Sequence, residues 1–416
     1  MTDIFEKASN SAQAHDIAQL RALKGYPFFY ENTPDLSLKP YEVRCNGRVL
    51  VSFGSNDYLG LTRDTRIIAA ALEATKHYGT GCSGSRLLNG TTSLHLQLEQ
   101  NLAEFFHKPA ALLFSTGFQA NLGVVSAVAG AGDAIIADEY CHASIVDGMR
   151  LSYAQRRRFR HNDISSLREA LSSCPAKMGR LIAVEGLYSM GGDLCPLSEV
   201  CELCAESGAR LFVDDAHGIG TLGTFGQGAA EVAGVLDKVD LLVGTFSKSF
   251  AGIGGFVVGA QDVLDYVRHV SSAFVFSASL PPAVVAGALA ALRIIQNEPE
   301  RRTRLLESAG LCRQLLRARG FDVESYATPI ILVSLGKGEN IRHAAAEVGL
   351  FCNALTAEGF YVNAALGSAV SFPGLRISVT AAHDQTQIHA LMDAMCRARD
   401  QAKTRLAACR EIVDAA

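Results

Sequence analysis

Short apolar runs alternate with longer segments whose apolar positions recur every three or four residues, and this rhythm holds from about residue 64 to residue 260. The runs are Ala110–Phe114, Ala134–Asp138, Arg180–Val184, Leu211–Val213, Val239–Val243 and Phe256–Val258. They carry little polar alternation, which is the pattern of strands buried on both faces. Between or before them, Asp64–His77, Leu94–Phe106, Gln119–Val128 and Pro196–Ser207 have helical spacing; Leu94, Leu98, Leu102 and Phe105 line one side of the second. Strand–helix units at this spacing predict an α/β fold, a mostly parallel sheet with helices on both faces. Val239–Val243 and Phe256–Val258 have no helix between them, so one antiparallel neighbour is expected in that sheet.

The flanks differ. Residues 1–25 are polar and alanine-rich, with Leu20 and Leu23 at helical spacing, and predict one helix. Residues 26–40 carry three prolines and predict an extended arm laid across another part of the protein or a partner subunit. Residues 41–53 alternate around Asn46-Gly47, a hairpin signal. Pro281-Pro282 opens a helix to about Gln296, and Asn297-Glu298-Pro299-Glu300 interrupts it. Beyond lie helices over 301–319, 341–358 and 384–411 and strands at 330–333, 360–362 and 375–379, a small α+β lobe. The expected organisation is an N-terminal helix and arm over 1–50, a large domain over 51–297 and a small domain over 298–416.

Composition narrows the function classes. With 49% hydrophobic and 19% charged residues and a net charge of -4, the 416-residue chain resembles an ordinary soluble enzyme. The only dense basic tract, Arg156-Arg157-Arg158 with Arg160, fits a solvated strand edge better than a nucleic-acid surface. Eleven cysteines are scattered; Cys201 and Cys204 sit at helical spacing and fit helix-core thiols. The N-terminus has no apolar run, so a cytoplasmic setting is expected, with no metal site.

Candidate chemistry centres on Gly244-Thr245-Phe246-Ser247-Lys248, where an apolar strand ends in hydroxyls and a lone lysine. Burial depresses an amine's pKa, and such a lysine suits carbonyl chemistry; on this stretch alone a surface loop lysine is an equal alternative. Some thirty residues earlier, the strand before Asp214-Asp215-Ala216-His217 ends in carboxylates. An acid for a pyridine nitrogen and a lysine for an aldehyde are the needs of pyridoxal phosphate, and Asp214 is the better candidate of the two acids. Ser115-Thr116-Gly117-Phe118 precedes a helix whose first N–H groups suit a phosphate, with the Thr245 and Ser247 hydroxyls. His142, at another helix start, suits either a ring-stacking role or a place beside the cap. Arg376 stands in an apolar strand, which is costly unless it is paired.

These motifs, with Ser55-Asn56-Asp57-Tyr58-Leu59-Gly60 and His142-Ala143-Ser144, resemble the α-oxoamine synthases over residues 20–405. The resemblance implies the type I fold of pyridoxal-phosphate-dependent aminotransferases. It also implies condensation of an amino acid with an acyl thioester and loss of carbon dioxide. Lys248 would hold the cofactor and move the α-proton, Asp214 would pair with the ring nitrogen, and His142 would stack on the ring. His217 and Ser189 would bond the phenolic oxygen; Ser115, Gly117, Phe118, Thr245 and Ser247 would surround the phosphate, joined by Ser277 of a neighbouring subunit. Arg376 would clamp the substrate carboxylate, with Asn56 near it or near the acyl oxygen. A homodimer with shared sites follows from the resemblance, as does peripheral membrane contact for a lipid product.

Within the family the chain is most similar to the bacterial serine palmitoyltransferases, through Gly84–Thr91, Glu185–Met190, Gly244–Ser249 and Phe276–Pro282. That similarity implies serine and a long-chain acyl-coenzyme A as substrates. The alternatives are an 8-amino-7-oxononanoate synthase using alanine and a pimeloyl thioester, from which Ser247 leans away, and an enzyme taking its acyl chain from a carrier protein. One departure is that residues 363–373 lack the Arg-Pro-Pro segment that shapes the acyl entrance in relatives. A plain aminotransferase would transfer the amino group and release no carbon dioxide.

Overall fold

Seven strands between residues 110 and 259 form one sheet. They are β1 (Ala110–Phe114), β2 (Asp133–Asp138), β3 (Gln155–Phe159), β4 (Gly179–Glu185), β5 (Arg210–Asp214), β6 (Leu241–Thr245) and β7 (Gly255–Gly259). Their order is β1-β7-β6-β5-β4-β2-β3. The pairs among β2 to β6 are parallel, and β7 runs antiparallel between β6 and β1, as the missing helix predicted. Ile135, Ile182, Leu211, Phe212, Val213, Leu242 and Val257 are fully buried. Each such side chain contributes about 1.5–3 kcal/mol, which explains why uniform apolar runs became central strands. β3 is one of the two edges, with β1 the other, and it exposes Arg156 and Arg158, charges that discourage pairing with another sheet.

The computed structural model describes residues 3–33, 35–335, 341–366 and 372–408. It divides into two units, residues 56–304 and residues up to 55 together with those from 305 onward. The division falls inside the helix Pro299–Ala318. Among the described residues no helix is long and apolar enough to cross a membrane.

Three helices of the sheet unit matter for the site: α1 (Gly117–Val128), α2 (Ala143–Leu151) and α3 (Leu197–Ser207). Thr116 caps α1 by accepting from the Gln119 N–H at 3.0 Å. Cys201 and Cys204 are buried on α3. In the glycine-rich loop 79–90 a Cβ on Gly90 would meet Ser279 Oγ at 2.0 Å, so the backbones do approach closely there.

In the other unit, the N-terminal segment forms two helices, Ile4–Ser9 and Ala12–Ala22, where one was expected. Ser11 breaks it: its hydroxyl accepts from the Ala14 N–H and starts a second helix. The hairpin Glu42–Cys45/Arg48–Ser52 turns at Asn46 and Gly47, both with positive φ, and Phe360–Tyr361 adds a parallel strand. A second sheet orders Ile330–Ser334, Gly374–Ser378 and Asn363–Ala365 antiparallel. His383 stacks on Phe53 at 4.0 Å, which ties residues before 55 to the C-terminal segment.

Candidate active site

The carboxyl ends of β1, β4, β5 and β6 share one edge of the sheet, and the residues that follow them line a cavity of about 340 Å³. Such edges are where α/β sheets bind ligands. Strand register brings the chemistry together: Glu185 lies opposite Asp214, and Asp214 opposite Val243.

Asp214 faces the cavity. Its carboxylate accepts from Asn121 Nδ2 at 2.5 Å and from the Ala216 N–H at 3.0 Å. Asn121 also donates to Ser144 Oγ at 2.9 Å, so α1 and α2 together hold the acid in place. Asp215 points elsewhere, because neighbours on a strand face opposite sides. It accepts from the Ala229 N–H at 2.6 Å, and glycines 186, 218 and 228 leave no room for a Cβ beside it. Burial pushes its carboxyl up to about 7, against the pull of the Ala229 N–H and with a push from Asp214. Glu185 is buried beneath the cavity, and burial first, then the Asp214 charge, raise its carboxyl well above the usual range. Its Oε2 accepts from the Ser189 N–H at 3.1 Å, while Oε1 has no partner among the described residues.

The lysine turn hangs between β6 and β7. Phe246 N–H donates to Gly254 O, Gly252 N–H to Phe246 O and Ala251 N–H to Lys248 O, all within 2.9 Å. Phe246, Phe250 and Phe256 are buried and pack ring against ring beneath it. Lys248 is half-buried at the cavity wall, between the buried amine and the surface loop lysine that the stretch allowed equally. The apolar residues around it in sequence turn down into the core, and the lysine turns toward the cavity.

Thr245 Oγ donates to Gly254 O at 2.8 Å and shares a 2.8 Å hydrogen bond with Ser247 Oγ. Gly117 sits against this pair: a Cβ there would meet Thr245 Oγ at 2.9 Å. With Thr116 capping Gln119, the N–H groups of Gly117 and Phe118 carry no intrahelical bond and border the cavity with both hydroxyls. His142 is the N-cap of α2 and lines the cavity, with Nδ1 at 2.6 Å from Ser144 Oγ. Burial lowers its pKa, opposed by Asp214 and reinforced by Lys248, which favours the neutral ring. His217 Nδ1 lies 2.7 Å from the buried Tyr58 hydroxyl, which also reaches Asn56 Oδ1 at 3.2 Å.

Nine of the residues singled out from sequence therefore line one cavity: Gly117, Phe118, His142, Ser189, Asp214, His217, Thr245, Ser247 and Lys248. Four stand elsewhere. Ser115 Oγ donates to Ala278 O at 2.5 Å, Ser277 Oγ accepts from Gln119 Nε2 at 2.9 Å, and Asn56 is linked to His217 through Tyr58. Arg376 belongs to the other unit, where it is buried and donates to Ser378 Oγ at 2.7 Å. Residues 367–371, within the stretch that departs from the family's acyl-entrance pattern, lie outside the described residues. Sequence reasoning assigned no role to Ser144, Glu185 and Tyr58, which it met only within motifs, and none to Asn121. Asn121 follows Gly117 by one helical turn, the signal that could have put it on the cavity face.

The donor set suits pyridoxal phosphate. A helix N-terminus with two hydroxyls fits a phosphate, a carboxylate locked by an amide fits a pyridinium, and an amine stands at the cavity wall. Comparison with known proteins agrees. Residues 48–395 match the family described as aminotransferase class I and II. The serine palmitoyltransferase of Sphingobacterium spiritivorum is 41% identical over 93% of this chain and 95% of its own length. The 8-amino-7-oxononanoate synthase of Anaeromyxobacter dehalogenans is 40% identical over 85% of this chain and 87% of its own. A serine palmitoyltransferase structure from S. paucimobilis with bound PLP superposes with a TM-score of 0.91 at 34% identity, over 97% of this chain and all of that one.

Proposed function

The chain belongs to the aminotransferase class I and II family, and from that premise we propose that it condenses L-serine with a long-chain acyl-coenzyme A. The products are an α-aminoketone, carbon dioxide and free coenzyme A. The observation that carries this reading is the meeting of Lys248, the Asn121-locked Asp214 and the α1 N-terminus around one cavity, in a chain 41% identical to a serine palmitoyltransferase.

The cofactor is pyridoxal 5′-phosphate, which when bound supplies an electron sink for charge developing at the amino acid's α-carbon. Gly117 and Phe118 N–H with Thr245 and Ser247 hydroxyls would hold its phosphate, and Asp214 would keep its ring nitrogen protonated. Asn121 keeps that carboxylate from turning away. His142, in the neutral form that burial favours, offers a flat face that adds no positive charge near the ring. Tyr58 fixes the orientation of His217, so the imidazole presents its other nitrogen to the cavity. The Lys248 amine would take the α-proton and return one to the same carbon. A carbon–carbon bond forms to the acyl carbonyl as the carbon–sulfur bond breaks, and the carboxyl group leaves as carbon dioxide. Arg376 would grip the serine carboxylate by a two-pronged hydrogen bond. Ser277 and Asn56, away from the cavity lining, would act at a subunit boundary of a homodimer.

Release of free thiol from a panel of acyl-coenzyme A thioesters with serine, alanine or glycine tests the assignment. A maximum with serine and long chains is expected. The 40% identity to an 8-amino-7-oxononanoate synthase favours one rival, which a maximum with alanine and a pimeloyl thioester would establish instead. Amino transfer to a keto acid without thiol release would overturn the condensation altogether.

A further inference from the structure

Two turns carry cavity residues, and among the described residues no backbone hydrogen bond runs between them beyond the paired strands that lead into them. One runs from Asp138, at the end of β2, to His142; the other runs from Gly186 to Cys195 and carries Ser189. The second is closed on itself, with Tyr188 N–H donating to Asp193 O and Cys195 N–H to Gly186 O. Two successive residues outside the cavity, His161 and Asn162, join them. His161 Nδ1 lies 2.9 Å from Asp138 Oδ1, and Nε2 lies 2.7 Å from Asp193 Oδ2. The next residue repeats the link: the Asn162 N–H donates to Asp138 Oδ2 at 2.8 Å, and Asn162 Nδ2 to Asp193 Oδ2 at 2.9 Å and Leu194 O at 3.2 Å. Asn162 adopts a left-handed φ of 52° to do so, a conformation that costs energy outside glycine. The second turn also reaches Glu185, through the Ser189 N–H at 3.1 Å.

We propose that His161 is a positioning residue for the reaction, a doubly bonded imidazolium that clamps the His142 turn to the Ser189 turn. The proposal rests on the cavity being the pyridoxal-phosphate site. Two ring nitrogens each facing a carboxylate oxygen require both to be donors, which only the charged ring supplies. Without that charge, Asp138 and Asp193, 1% and 7% exposed, would face each other as buried anions and push the turns apart. The groups that face the ring are those two carboxylates, the Asn162 amide with Nδ2 at 3.4 Å from Nε2, the Tyr140 ring at 4.5 Å and the Tyr188 ring edge-on at 4.5 Å; Glu139 holds the His161 backbone N–H. Burial works against the charge, but the two carboxylates outweigh it and hold the imidazole up to about 9. The sign follows: the clamp is fully charged at neutral pH and is lost as pH rises through about 9.

The test uses the holoenzyme of wild type, His161→Phe and Asp193→Asn. His161→Phe keeps a ring and removes both bonds; misplacing catalytic groups by a fraction of an ångström should lower kcat by about 10- to 100-fold, with KM for the acyl donor little changed. Asp193→Asn removes one of the two charges, so the alkaline loss of kcat and the accompanying change in the cofactor's visible spectrum should move to lower pH. Imidazole nitrogen shifts of wild type give a direct check, since His161 should be charged at pH 7.5. A neutral His161 at that pH overturns the proposal, as does an Asp193→Asn enzyme whose alkaline limb does not move, even if His161→Phe cannot be folded. A His161→Phe enzyme that turns over like wild type also overturns it. Failure of the functional assignment looks different: wild type itself would take up no pyridoxal phosphate.

Discussion

Replacing Gly117 by alanine separates the phosphate cradle from the rest of the site. The added methyl would lie 2.9 Å from Thr245 Oγ and 3.0 Å from Thr245 Cβ. Ordinary carbon contacts begin near 3.5 Å, so helix α1 and the Thr245–Ser247 pair must part by roughly half an ångström or more. Thr245 cannot rotate away cheaply, because its hydroxyl is held by Gly254 O and Ser247. Overpacking of this kind costs about 1–3 kcal/mol. Gly117 has no positive φ, and alanine is the better helix former by up to about 1 kcal/mol, so the net loss of stability in the unliganded protein should be no more than about 2 kcal/mol. A cradle that opens to relieve the contact no longer closes on a phosphate. Affinity for pyridoxal phosphate should drop by about 5- to 150-fold, since each 1.4 kcal/mol is tenfold. Pyridoxal, which lacks the phosphate, is the control, and its affinity should stay within about threefold. Both constants can be measured by fluorescence titration of the apoenzyme. Equal losses for the two ligands, or none for either, would refute a phosphate site at the α1 N-terminus.

Lys248→Ala should remove turnover by roughly 10³-fold or more in the thiol-release assay, because no other amine lines the cavity among the described residues. Tyr58→Phe deletes the 2.7 Å bond to His217. It should lower kcat by about fivefold, the equivalent of roughly 1 kcal/mol, without moving KM for serine. His95 and His383 are buried, and burial holds each down to about 4. In the unfolded chain they take up protons near pH 6.5, so stability should fall as pH drops from 6.5 toward 4.5. The loss is about 2–3 kcal/mol for each, read from urea midpoints. His383→Phe should remove about half of that slope, and an unchanged slope would show that His383 is not the neutral group assumed.

The sheet was legible because its central strands are apolar throughout, and a run such as Ala134–Ala137 fits nothing else at that length. The antiparallel β7 was legible from what was missing, a helix after Lys248. The lysine, Asp214 and the small residues before α1 could be read because each closes a strand. The break at Ser11 was misjudged because composition favoured one helix while a single hydroxyl decided for two. Asn121, Tyr58 and Glu185 could not be read for a different reason. Each is one polar residue in an otherwise ordinary element, and its meaning lies in a partner at long range: Asn121 with Asp214, Tyr58 with His217. His161 is the extreme case, since its partners Asp138 and Asp193 lie on either side of it in sequence, each more than twenty residues away.

The placement of β7 between β6 and β1 has a consequence for how the protein comes into being. Phe114 and Gly255 are paired neighbours in the sheet although about 140 residues of chain separate them. Closing so long a loop is slow relative to local pairing such as that of β6 with β7. The α1 N-terminus follows β1, and Thr245 ends β6, so the phosphate cradle exists only once β7 has slotted between those two strands. A chain still emerging from the ribosome therefore has no place for its cofactor until Gly259 is clear of the exit tunnel. Because the cradle needs the completed sheet, a bound pyridoxal phosphate stabilises that completed sheet by mass action.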